Sequence, residues 1–190
     1  MIISTPPVET AEGHPAEMYA DDIADVGFVF AYTRAMAVNP DAHEAFLALI
    51  RAIVPSIGVR VYEAATLGAA RAIGSPHCLL AHGRKSLRAE VLSDADLIRF
   101  ARGDDHGFSA AEQLVVRYAE KLSVDPRSMT DADTHALRDA GYDDRQIVDI
   151  TLAAAARNYF SRALLALVVP TDEVPGLDPE TSAALRGAAR

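Results

Sequence analysis

The chain has 190 residues, half of them hydrophobic, which suffices for one domain with a proper core and is short for two. A formal net charge of −9 and a pI near 5.0 argue against a nucleic-acid binder or a protein that docks on anionic lipid. A single cysteine, Cys78, excludes an intramolecular disulfide, so its neighbours decide whether it is core filling or chemistry. The apolar runs Leu152–Ala156 and Leu164–Val169 are separated by Arg157, Asn158 and Arg162, too broken a stretch for a membrane span. The N-terminal Met1-Ile2-Ile3-Ser4-Thr5-Pro6-Pro7 lacks the basic start and apolar stretch of a secretory signal, and a cytoplasmic location is expected.

Apolar residues recur at helical spacing almost throughout. A first short helix is predicted over 15–25, and a second over Gly27–Val38, stopped by Asn39-Pro40. Asp41 is expected to cap a helix to about Val54, with Phe46, Leu49, Ile50 and Ile53 along one side. A break at Pro55-Ser56 leads to a helix over Ile57–Ile73, ended by Gly74. Ser75-Pro76 reads as N-cap and first residue of a helix to about Val91. Ser93 opens another that ends at Gly103, and Ser109 to Glu112 has capping-box spacing before a helix through Leu122. Thr130 caps a short helix closing at Gly141, and the last and longest runs from about Asp143 to Val169. Short connections favour a single-domain, all-α antiparallel bundle over residues 1–170, with 171–190 a docking arm or frayed tail.

The segment from Glu63 to His82 carries the chemistry. With Ser75 as N-cap, Cys78 lies in the first turn of its helix, where free N–H groups and the positive end of the macrodipole favour a thiolate. His82 follows four residues later on the same face, placed to exchange a proton at the sulfur. A turn at Gly74-Ser75-Pro76 would fold the preceding helix back and bring Glu63 to the histidine, the layout of an activated nucleophile. Two other readings stand beside this one: small core filling, and a metal site of His77, Cys78, His82 and Glu63. His14, His43, His106 and His135 are expected in solvent. Arg157 and Arg162 are read as ion-pair or interface residues, with lining of a pocket as the alternative. Tyr159 and Phe160 are read as core or subunit contacts.

The spacing Glu63, Ser75, Cys78, His82 resembles the Glu…Cys-x-x-Cys-x-x-x-His signature of the alkylhydroperoxidase D and carboxymuconolactone decarboxylase superfamily. His77 matches a histidine of the alkylhydroperoxidase D branch. Leu122 to Pro126, Thr130 to Asp133, Leu137 to Ile147 and Asn158 to Arg162 extend the likeness to its peroxidase-related members, over roughly residues 15 to 170. The resemblance implies a helical homo-oligomer (dimer, trimer or hexamer) that reduces peroxides and needs no cofactor. It implies that Cys78 is the peroxidatic cysteine, His82 and Glu63 the proton relay, and His77 a supporting member. Ser75 stands where the family has its resolving cysteine. Its hydroxyl can cap the helix and hydrogen-bond a thiolate, but an external thiol reductant must then complete turnover. A lyase or isomerase using His82 as proton donor, and a non-catalytic oligomer that kept only the fold, are the alternative functions.

Overall fold

The computed structural model describes residues 1–189, and these are helical without strands. The helices are α1 (His14–Val26), α2 (Ala31–Met36), α3 (Pro40–Ile73), α4 (Pro76–Arg88), α5 (Asp94–Ala101), α6 (Ala110–Val124), α7 (Asp131–Asp139), α8 (Asp144–Ala166) and α9 (Pro179–Ala188). The all-α bundle expected from the periodicity is therefore present. Its axis is α3, which packs along α8 on one side and α6 on another, while α4 folds back against α3.

Two expected boundaries around α3 move. Asn39, not Asp41, caps α3: its side chain accepts from the Ala42 N–H at 3.2 Å, and Pro40 takes the first helical position, where its missing N–H is harmless. The break expected at Pro55-Ser56 falls at Gly58, whose φ of 74° and ψ of 165° leave the helical region, a conformation that a residue without Cβ adopts freely. The two segments run on as one 34-residue kinked helix, so α8 is neither the longest nor the last. By length and composition α3 could cross a bilayer, with a window of mean hydropathy 1.6 of which 17% is buried; its second half forms the buried centre of the bundle.

The segment after Pro170 forms α9, which lies across α5 and α4, with Leu185 and Thr181 fully buried. Leu185 enters where Gly83 of α4 leaves room, and the Thr181 hydroxyl donates to Asp94 at 2.8 Å. Arg190, the last residue of the expected tail, lies outside the described residues. Ionic ties fix the frame: Arg60 holds Glu112 with two hydrogen bonds, and Arg71 joins Asp105, Glu120 and the Phe100 carbonyl while stacking over the Phe100 ring.

At Gly68, α3 approaches the α6 backbone closely. A Cβ there would stand 2.8 Å from the Val116 carbonyl oxygen, inside van der Waals contact with backbone that cannot rotate away. Gly68→Ala should therefore lower stability by about 1–3 kcal/mol in urea unfolding, as overpacked cores do. An unchanged midpoint would contradict the close approach.

Candidate active site

Gly74, at φ 73°, ends α3 in a left-handed C-cap, and Pro76 starts α4 one residue after Ser75. This tight reversal lays the first turn of α4 beside the second half of α3. Glu63 and His82 meet there, with Glu63 Oε2 2.8 Å from His82 Nδ1 and both residues no more than 3% exposed. The remaining ring nitrogen, Nε2, is the one left to the cavity that His82 lines.

Burial raises the Glu63 carboxyl to about pH 7, opposed by the more distant Lys85 and Arg157. Burial, reinforced by Arg157 and Lys85, holds the His82 imidazole well below its ordinary value of 6.5. The two shifts describe one proton shared across one hydrogen bond. Below about pH 7, Glu63 keeps the proton and offers it to Nδ1, leaving Nε2 as an N–H donor. Above it the proton leaves, Nδ1–H donates to the carboxylate, and Nε2 becomes an acceptor. An unfolded chain between pH 4.5 and 6.5 carries one proton on the same two groups, on the histidine, so the pair adds little pH dependence to stability in that window.

Cys78 occupies the first turn of α4, 2% exposed, at the inner wall of a cavity of about 410 Å³. The hydrogen bonds that reach its sulfur come from α8, not from Ser75. Ser161 Oγ donates at 3.0 Å and Arg157 Nη1 at 3.5 Å. The Ser75 hydroxyl is buried and meets neither the helix N-terminus nor the sulfur, so its expected capping and thiolate contacts are absent. Ser161 supplies that hydroxyl instead, because α8 crosses Cys78 one turn after Arg157.

Arg157 is 4% exposed. Nη2 donates to the Tyr62 hydroxyl at 3.3 Å, Nε has no partner, and among the described residues no carboxylate pairs with the guanidinium. Of the two roles set for it, Arg157 takes the pocket-lining one. Arg162 instead binds Asn158 Oδ1 and the Ser123 carbonyl away from the cavity.

His77 Nε2 donates to the Pro170 carbonyl at 3.0 Å, which fixes the tautomer and leaves Nδ1 a bare, unpartnered acceptor. Burial lowers its pKa, against that hydrogen bond. Lys85 lines the same cavity with part of its surface in solvent, its ammonium lowered by the surrounding protein and by Arg157. His14 and His43, expected in solvent, line the cavity half-buried, whereas His106 and His135 are exposed. The cavity wall is aromatic: Phe46 stacks on Phe160 at 4.9 Å, with Tyr32 edge-on to Phe160 at 6.3 Å. Phe160 is therefore core and wall together, while Tyr159 is 55% exposed. The described residues hold no group of three His, Cys, Asp or Glu side chains arranged for a metal ion.

No protein-family model matches the sequence, and no curated protein matches it. Solved structures do. The alkylhydroperoxidase AhpD core of Ralstonia eutropha JMP134, a peroxidase-related protein, superposes with a TM-score of 0.73 at 19% identity, over 97% of this chain and 95% of that one. A peroxidase-related protein of Silicibacter sp. TM1040 gives 0.64 at 21%, over 85% and 88%. This chain has the alkylhydroperoxidase D-like fold. The debrominase Bmp8 shares it, at a TM-score of 0.74 and 17% identity over 99% of this chain and 97% of that one, in a cysteine-to-alanine variant in complex with 2,3,4-tribromopyrrole.

In this fold the reversal at Gly74 and the crossing of α8 set the protonation of the pair. His82 is expected to give neutral-imidazole nitrogen-15 shifts at pH 6, where a histidine of ordinary value near 6.5 is mostly protonated. An imidazolium signal at that pH would contradict the shared-proton arrangement.

Proposed function

We propose that this chain is a thiol-dependent oxidoreductase that reduces organic hydroperoxides through Cys78. The observation that carries the reading is a sulfur receiving hydrogen bonds from Ser161 and Arg157 at the wall of an aromatic cavity. Both donors favour the sulfur as an anion, and the thiolate is the nucleophilic form.

The thiolate attacks the distal oxygen of the hydroperoxide. The S–O bond forms as the O–O bond breaks, and the departing alkoxide takes the proton from His82 Nε2. Glu63 returns its proton to Nδ1, which leaves a carboxylate facing a neutral imidazole. Cys78 is then a sulfenic acid. Ser75 has no sulfur to resolve it, so an external thiol attacks, water leaves and a mixed disulfide forms. A second thiol releases Cys78 as thiolate, the pair takes back a proton, and the net reaction converts hydroperoxide and two thiols into alcohol, water and a disulfide. His77, held by the Pro170 carbonyl, orients the first turn of α4 and stays outside the proton path.

A cavity of about 410 Å³ sits within the range of about 300–1,000 Å³ typical of small-molecule sites, and far exceeds what hydrogen peroxide needs. That size, together with the fold shared with Bmp8, also favours a second reading, reductive dehalogenation of a ring. The thiolate would take the halogen, the ring carbon would take the proton from His82, and a second thiol would displace halide from sulfur. The homo-oligomer belongs to the same reading. The exposed row Val148, Leu152 and Tyr159 along one face of α8 is the apolar surface a partner copy would cover.

Treatment with cumene hydroperoxide should yield a dimedone adduct on Cys78 by mass spectrometry, and an added small thiol should convert it to a mixed disulfide. Turnover should fall as pH rises through about 7, where the pair loses its proton. His82→Ala should slow turnover by about 10²–10⁴-fold, as loss of a general acid does. Halide release from a bromophenol without dimedone trapping would favour dehalogenation. Activity that survives Cys78→Ser would overturn both readings.

A further inference from the structure

Charge around the buried Arg157 does not balance. Arg157 and the exposed Lys85 both line the cavity, and no carboxylate pairs with the guanidinium among the described residues. At pH 6 the Glu63–His82 pair is neutral overall, which leaves the Cys78 sulfur as the one group on the guanidinium able to carry negative charge, while Lys85 adds a second cation from an exposed position. Tyr62, the other group on the guanidinium, is a phenol and adds none. Of the remaining ionisable groups on the cavity wall, His43 and Glu44 lie further along α3, Tyr32 on α2 and Asp22 on α1. A buried cation lacking its counter-charge is unfavourable, and an anion from outside would relieve it.

The walls specify the rest of that anion. The guanidinium carbon of Arg157 lies 5.7 Å from the Phe160 ring and 6.0 Å from that of Phe46, so the cation sits beside the stacked aromatic pair that walls the cavity. A flat ring fits against this wall by stacking, whereas a flexible chain would lose rotamer freedom to cover it. The outer lining carries Glu17, Asp21 and Glu44, all exposed, which disfavours the approach of permanent anions to an already acidic protein. A neutral molecule passes that rim without penalty.

We propose that the cavity takes a ring compound bearing a weakly acidic O–H or N–H, such as a phenol or an azole, and binds it as its anion on Arg157. The ligand enters neutral, gives its proton to bulk water and stacks against the aromatic wall that Phe46 and Phe160 form together. This rests on the cavity being the substrate site of Cys78, and it names the class of molecule that reaches the sulfur. The ring's acidic group lies against Arg157, so the ring carbons or a peroxide substituent face Cys78 on the neighbouring helix.

The probe is 4-nitrophenol, whose anion alone absorbs visible light, titrated at pH 6 with the full native chain. Binding should turn the probe to phenolate and shift its ionisation midpoint by at least one pH unit, a tenfold change. Cys78→Ser should bind the phenolate at least threefold more tightly, because the competing anion on Arg157 is gone. Phe46→Ala should weaken binding about tenfold, and Arg157→Met should abolish the spectral change while circular dichroism stays helical. If that variant unfolds, Lys85→Met, at a partly exposed position, should reduce the midpoint shift. A probe bound as neutral phenol, or a phenolate signal that needs Cys78, would overturn the proposal. Phenolate binding by a chain inert to hydroperoxides and aryl halides would remove the oxidoreductase reading and leave this one standing, while turnover without phenolate binding would do the reverse.

Discussion

A guanidinium that is 4% exposed and meets no carboxylate must find its counter-charge in whatever surrounds it. For Arg157 the surroundings are a sulfur, a phenol, two phenylalanine rings and a cavity. Water cannot solvate the charge as it would at the surface, and the proposed mechanism therefore gives the sulfur the role of anion. The same charge helps hold His82 neutral, and burial keeps a proton on Glu63 up to about pH 7. In the proposed mechanism a thiolate and a loaded proton donor coexist below neutrality, the first favoured by Arg157 and the second by burial, which Arg157 opposes.

The fold arranges this with few devices. Gly74 and Pro76 reverse the chain in two residues, which puts Glu63 and His82 within one hydrogen bond of each other. The kink at Gly58 redirects α3 so that its first half carries Phe46 to the cavity wall while its second half carries Glu63 to the inner end. α8 crosses both and delivers Arg157 and Ser161, one turn apart, to the sulfur. The solved peroxidase-related proteins and the debrominase share this helical frame at 17–21% identity, so the frame tolerates wide change in the residues that fill it.

Local signals were legible in the sequence, and long-range ones were not. The capping box at Ser109, the starts at Ser93 and near Asp143, and the glycine stop at Gly74 are written into three or four neighbouring residues, and each of these helix ends is where that grammar puts it. The meeting of Glu63 with His82 was readable because a single short turn joins their helices. Arg157 and Ser161 stand about eighty residues from Cys78, and an arginine in an apolar helix signals an ion pair as readily as a cavity. The signal that could have found them is their spacing: two polar residues four apart on the inward face of an otherwise apolar helix. Ser75 misled for the opposite reason. Its position as N-cap is correct, but its hydroxyl is sealed in beneath the turn, and backbone register alone does not show which way a side chain is sealed. The helix at Pro179–Ala188 follows a weakly patterned stretch, and its place is set by the room that Gly83 leaves for Leu185.

The proposed role of Arg157 requires a sulfur anion as its partner, and the ultraviolet absorbance of a thiolate reads that directly. At the pH of the activity assay, the difference spectrum between the native chain and Cys78→Ser should show the thiolate band, and Arg157→Met should remove it. A difference spectrum without that band, or a band indifferent to Arg157, would contradict the proposal.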